Sequence, residues 1–182
     1  MRFTALPLSG AYVVDVEPHA DERGLFARTF DAEEFARHGL APAVAQCSVS
    51  FNLRRGTVRG MHWLAAPARE AKLVRCTRGA VHDVIVDLRP ESATYLRHVA
   101  VELSAENRTA LYIPPQFAHG FQTLEDATEV FYQMSEPYVP GHERGLRHDD
   151  PALAIAWPLP VSVISAKDRA WPELRAAARE RA

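Results

Sequence analysis

KLVRCTRGAVHDVIVDL, residues 72 to 88, holds two short runs rich in β-branched residues on either side of Gly79. KLVRCTR (72–78) alternates in character, AVHDVIVDL (80–88) is almost continuously apolar, and the glycine breaks the pattern between them, so both read as strands. Runs of the same kind recur outward from this pair: AYVVDVE (11–17), LFARTF (25–30) and AQCSVSF (45–51) before it, and LRHVAVEL (96–103), TALYI (109–113), AHGFQTL (118–124) and ATEVFYQM (127–134) after it. RPESAT (89–94) and the Pro114-Pro115 pair are turn chemistry between them. No βαβ alternation is present, and the rhythm predicts an all-β sandwich or barrel. One short helix is expected where Asp31 caps, Glu34 completes a capping box and Gly39 terminates, and a second in the Ala/Arg-rich tail after Pro172.

At 182 residues the chain suits a single domain, 1–182, able to bury roughly two-thirds of its unfolded surface. A formal charge of -2 with 24% charged residues gives no overall basic excess for nucleic acid or an anionic membrane, so any anion site must be local. Cys47 and Cys76 lie far apart and form no CxxC, which argues for a reducing compartment and two core thiols. MRFTALPLSGAY, broken by Pro7 and soon followed by Asp15, fits neither a signal peptide nor a membrane span, and a cytoplasmic location is expected.

Side-chain parity narrows the question of function, since residues two apart on a strand share a face. Lys72 falls with Val74 and Cys76, and Tyr132 with Val130 and Met134, so a lysine and a tyrosine both point toward apolar interiors. Burying an ammonium costs several kcal/mol unless a charge or ligand offsets it. A snorkelling lysine and a satisfied core tyrosine fit the same pattern; a lined cavity is the alternative. His62, in RGMHW (59–63), and His119 raise the possibility of a metal, with Glu70 as a carboxylate ligand. The paired HxH ligands usual in metal cupins are missing, because Met61, Trp63 and Leu64 surround His62.

DERGLF (21–26), RGMHW (59–63), KLVRCTRGAVHDVIVDLRPESATY (72–95), LSAENR (103–108), IPPQFAHGFQTLED (113–126), FYQM (131–134) and ISAKDRAWP (164–172), in this order and spacing, resemble the dTDP-4-dehydrorhamnose 3,5-epimerase family. The resemblance implies a cupin-like double-stranded β-helix, or jelly roll, with short peripheral helices, and a homodimer that uses neither metal nor cofactor. The implied substrate is a nucleotide-linked 4-keto-6-deoxyhexose. Inverting a carbon beside a ketone needs a base, a group that stabilises the enolate, and an acid on the opposite face. By the resemblance His62 is the base, Asp168 orients it, Lys72 stabilises charge at the ketone oxygen, and Tyr132 is the acid. His119 lies beside the sugar. Arg23 and Arg59 match diphosphate contacts, Phe26 a wall for the base, and Gln46, Glu143 and Lys167 polar positions around nucleotide and sugar. N-terminal strands exchanged between subunits would carry Arg23 and Phe26 into the neighbouring site.

Several positions depart from the family pattern. Arg28 stands where a glutamate is usual, Cys47 and Ser48 replace acidic and amide side chains, Trp63-Leu64 replaces an aromatic-glutamine pair, and His148 occupies a tryptophan position. The proton-transfer set is intact, while the nucleotide end differs. Epimerisation at C3 or C5 alone is therefore the principal alternative to action at both centres. A sugar ketoisomerase, a metal-dependent cupin enzyme and a non-catalytic sugar-nucleotide binder are the others, the last disfavoured because a binder needs no opposed base and acid.

Overall fold

The structure, a computed structural model, describes residues 1–174. Its strands in chain order are β1 (Arg2–Ala5), β2 (Tyr12–Asp15), β3 (His19–Asp21), β4 (Gly24–Phe26), β5 (Gln46–Asn52), β6 (Val58–Leu64), β7 (Lys72–Arg78), β8 (Ala80–Asp87), β9 (His98–Ser104), β10 (Ala110–Ile113), β11 (Phe117–Thr123), β12 (Thr128–Met134) and β13 (Glu143–Gly145). Two short helices, α1 (Ala32–Arg37) and α2 (Ala166–Arg169), lie outside the sheets. A six-stranded sheet in the order β1-β2-β10-β7-β12-β5 faces a five-stranded sheet in the order β13-β6-β11-β8-β9. All strand pairs within the two sheets are antiparallel. This is the cupin-like jelly roll, and β7 and β8, the opening pair of strands, fall one in each sheet.

Alternation decides which side chains meet. Val74 and Cys76 of β7 turn inward to join Val81, Ile85, Leu111, Phe121 and Val130 in the core between the sheets. Leu73 turns outward to a second cluster under α1, where Phe35 is the buried anchor, and Val84 and Val86 turn outward to a third beneath Leu146 and Leu153. Both faces of β8 are thus covered, which accounts for its continuous apolar run. Each fully buried aliphatic or aromatic side chain contributes about 1.5–3 kcal/mol.

Helix α1 begins as its sequence dictates: the Asp31 carboxylate accepts from the Glu33 and Glu34 amides at 3.0 and 3.1 Å. The reciprocal half of the capping box is absent, because the Glu34 carboxylate instead meets the Met1 ammonium at 3.3 Å. Gly39, at φ +70, follows the helix. LFARTF does not form one strand; β4 ends at Phe26, and Phe30 folds back onto Phe35 with ring centroids 4.8 Å apart. The thiols also differ from expectation, since Cys76 is buried but Cys47, on the outer side of the edge strand β5, is exposed. The helix expected after Pro172 falls almost wholly on residues 175–182, outside the described chain.

The β8–β9 turn is organised by one carboxylate. Fully buried Asp87 accepts from Arg89 Nε and Nη2 at 2.8 and 2.7 Å and from the Ser92 and Thr94 hydroxyls at 2.6 and 2.7 Å. Burial alone would raise its pKa, but the Arg89 guanidinium and the two hydroxyls hold it well below the usual carboxylate range.

Candidate active site

A cavity of about 580 Å³ opens between the two sheets. Its shape at β6 depends on two glycines. Gly60 has φ +121, and a Cβ there would lie 2.5 Å from Gly120 Cα on β11. The same close approach accompanies a register shift between His119 and Phe121. Strict alternation would send Arg59 to the same face as Met61; with this irregularity Arg59 and His62, three residues apart, both line the cavity. His62 is the cross-strand partner of His119.

His62 Nε2 lies 2.6 Å from Asp168 Oδ1. The carboxylate belongs to α2, whose N-cap is the Ser165 hydroxyl accepting from the Asp168 amide at 3.0 Å, and its second oxygen accepts from the Gly60 amide at 3.3 Å. Burial pushes the Asp168 pKa up, but the His62 hydrogen bond and charge outweigh it and hold the carboxyl below its ordinary value. Behind the pair, the Trp171 ring stands edge-on to His62 with centroids 6.3 Å apart. Gly145, opposite His62 on β13, gives the indole room, for a Cβ there would collide with it.

The facing wall comes from the six-stranded sheet. Lys72 opens β7 opposite Met134, and its Nζ lies 3.2 Å from Glu70 Oε1. Tyr132 on β12 opposes Val74, and its ring centroid is 6.1 Å from that of His119. Burial, reinforced by the Asp83 charge, raises the Tyr132 pKa well above that of an ordinary phenol, so it remains a proton donor across the neutral range. His119 is itself fixed: its Nε2 lies 2.9 Å from both Asp83 oxygens. Arg59 Nε donates to Asn52 Oδ1 at 2.7 Å.

Of the residues singled out in the sequence, His62, Lys72, Tyr132, Asp168, Arg59, His119 and Glu143 line this one cavity. Lys167 stands beside it, paired with Glu143 at 2.6 Å and 5.6 Å above the Trp171 ring. Gln46 is set back, its Oε1 accepting from the Tyr138 amide. Arg23 and Phe26 do not reach the cavity of their own chain: Arg23 pairs with Asp21 on the exposed β3–β4 hairpin, and Phe26 is 74% exposed. Arg28 pairs with Asp31 at 2.9 Å, at the start of α1. Sequence reasoning passed over Asp83, although it shares an inward face with Val81 and Ile85, where a carboxylate demands a partner. Glu70 drew attention only as a metal ligand. In the fold its partner is Lys72, while His62 and His119 are held by Asp168 and Asp83; among the described residues no three His, Cys, Asp or Glu side chains converge as a ligand set.

Comparison with known proteins places this geometry in context. Residues 5–176 match the family model described as dTDP-4-dehydrorhamnose 3,5-epimerase. The chain is 41% identical over 175 residues to the dTDP-4-dehydrorhamnose 3,5-epimerase of Sinorhizobium fredii, covering 96% of this chain and 90% of that protein. It is 37% identical over 170 residues to the dTDP-4-dehydrorhamnose 3-epimerase of Streptomyces niveus, covering 93% and 82%. Among solved structures, a Legionella pneumophila dTDP-6-deoxy-D-glucose-3,5-epimerase in complex with dTDP-4-keto-L-rhamnose superposes with a TM-score of 0.91 at 32% identity, covering 98% of this chain and 95% of that one.

Proposed function

The chain belongs to the dTDP-4-dehydrorhamnose 3,5-epimerase family, and from that premise we propose that it inverts C3 and C5 of a dTDP-linked 4-keto-6-deoxyhexose in deoxysugar biosynthesis, as a cytoplasmic, single-domain homodimer. One observation carries the reading. His62 lies on the five-stranded sheet, whereas Tyr132 and Lys72 lie on the six-stranded sheet across the cavity. A sugar ring held between the sheets therefore meets a base on one face and an acid on the other, which is what inversion requires.

In this mechanism His62 removes the proton next to the ketone. Its Nε2 is committed to Asp168, leaving Nδ1 to accept the proton while the carboxylate stabilises the resulting imidazolium. The electron pair from the broken C–H bond moves onto the C4 oxygen, and the Lys72 ammonium offsets the charge that develops there. Tyr132 returns a proton to the carbon from the opposite side. His119, locked by Asp83, fixes the sugar, and Arg59 meets the diphosphate with planar, permanently charged donors. Gln46, Glu143 and Lys167 supply polar contacts around the nucleotide and sugar. Nothing in these steps calls for a cofactor or metal, since only protons move.

Two features support the homodimer. The β3–β4 hairpin is exposed throughout, and Arg23 and Phe26, matched to nucleotide contacts, lie outside their own cavity, as they would if they completed a partner's. Action at one centre is the second reading, favoured by the likeness to the Streptomyces niveus 3-epimerase. Both are tested by incubating the protein with dTDP-4-keto-6-deoxy-D-glucose in deuterated water beside a His62→Ala control. Deuterium at C3 and C5, absent with the variant, is expected; label at one carbon selects the single-centre reading, and label at neither refutes both.

A further inference from the structure

We propose that Glu70 is a positioning residue that holds the Lys72 ammonium in place for the enolate oxygen, a role that rests on the epimerase reading above. Glu70 lies near the end of the connection between β6 and β7, two residues before Lys72, and both side chains are largely withdrawn from water, at 8% and 17% exposure. Their charged groups lie 3.2 Å apart within the cavity wall. Glu70 differs from the other inward carboxylates in how it is satisfied. Asp83 is held by His119, Asp168 by His62 and the Gly60 amide, and Asp87 by Arg89 and two hydroxyls. Among the described residues the Glu70 carboxylate meets Lys72 alone.

The choice of cation supports a positional role. Of 21 basic residues in the chain only Lys72 and Lys167 are lysines, and both pair with a glutamate at this cavity. A guanidinium at position 72 would spend its planar fork on the carboxylate, whereas an ammonium is a compact point charge that pairs with Glu70 and keeps its donors for the ketone oxygen and its surroundings. A flexible four-carbon stem lined up in advance needs no reorganisation as charge develops, which is the condition for electrostatic catalysis. Glu70 itself moves no proton; it acts through Lys72.

Glu70→Gln, Lys72→Met and the double variant, assayed by solvent-deuterium exchange and turnover of dTDP-4-keto-6-deoxy-D-glucose, test the assignment. Glu70→Gln is expected to lower kcat roughly tenfold or more with KM changed less than about threefold, the signature of an interaction made in the transition state. In the Lys72→Met background it should cost nothing further, because the two groups act as one. Glu70→Asp should restore part of the rate. With only two lysines, a ¹⁵N-labelled protein gives two side-chain ammonium signals, and Glu70→Gln should move that of Lys72 and leave that of Lys167 in place. Equal losses in both backgrounds, unaltered kcat, or an unmoved Lys72 signal would overturn the proposal. Wild-type protein that labels neither carbon would sink the epimerase reading instead, and the ammonium spectrum alone would then decide the pairing.

Discussion

If single residues on opposing walls divide the reaction as proposed, their loss should divide it too. In Tyr132→Phe the base, its carboxylate and the ammonium all remain, while the opposite-face donor is gone. The variant is expected to exchange its substrate's C–H protons within about tenfold of the wild-type rate, yet to form inverted product 10²–10⁴-fold more slowly, the usual worth of a general acid. Mass spectrometry of the sugar together with its NMR coupling pattern separates the two rates, and inversion at a normal rate would remove Tyr132 from the mechanism. Lys72 and Tyr132 were legible in the sequence because period-2 parity marks a polar residue on an apolar face. The partners that hold the site were less so: Asp83 and Glu70 acquire their meaning from residues 36 positions away and two positions away respectively, and parity says which way a side chain points without saying what it meets.

Elements were legible in proportion to how locally they are specified. β7, β8, β10 and β12 follow from alternation and β-branching, and the start of α1 from Asp31. β6 does not stand out among the alternating runs, since RGMHW neither alternates nor favours a sheet; its path is set by the contact of Gly60 with Gly120, a pairing between distant parts of the chain. The β8–β9 turn was read from composition, but its brace, Asp87, yields a prediction of its own. Asp87→Asn should lower stability by roughly 1.5–3 kcal/mol, the scale of hydrogen bonds to a charged group. Because the folded-state pKa of Asp87 is depressed, its contribution is complete above the unfolded value near 3.9 and is lost as pH falls through that value toward the folded one. The gap between wild type and variant in chemical denaturation should therefore be constant from neutrality to about pH 5 and close on further acidification. A gap that widens in acid would contradict the assignment.

At the scale of the whole molecule, the six-stranded sheet ends in β5, which carries Val49 and Phe51 at 63% and 45% exposure, and the β3–β4 hairpin carries Leu25 and Phe26 at 45% and 74%. Apolar surface of this kind on an edge strand invites a partner. If the partner's hairpin completes each site, two defective proteins should repair one another. Arg23→Ala and His62→Ala, each weak or inactive alone, should recover activity when unfolded and refolded together, because one site of the mixed dimer combines an intact cavity with an intact hairpin. Light scattering gives the mass, and a mixture no more active than its parts would place Arg23 outside the site. The edge-on contact of Trp171 with His62 has one more consequence. Trp63 also lines the cavity, while Trp157, its indole N–H given to the His148 carbonyl, packs in the cluster beneath the five-stranded sheet. Two of the three tryptophans in the chain thus sit at the proposed base, and the protein carries its own optical reporter: intrinsic fluorescence is weighted toward the one place where a sugar nucleotide would arrive, so occupancy can be followed with no label attached.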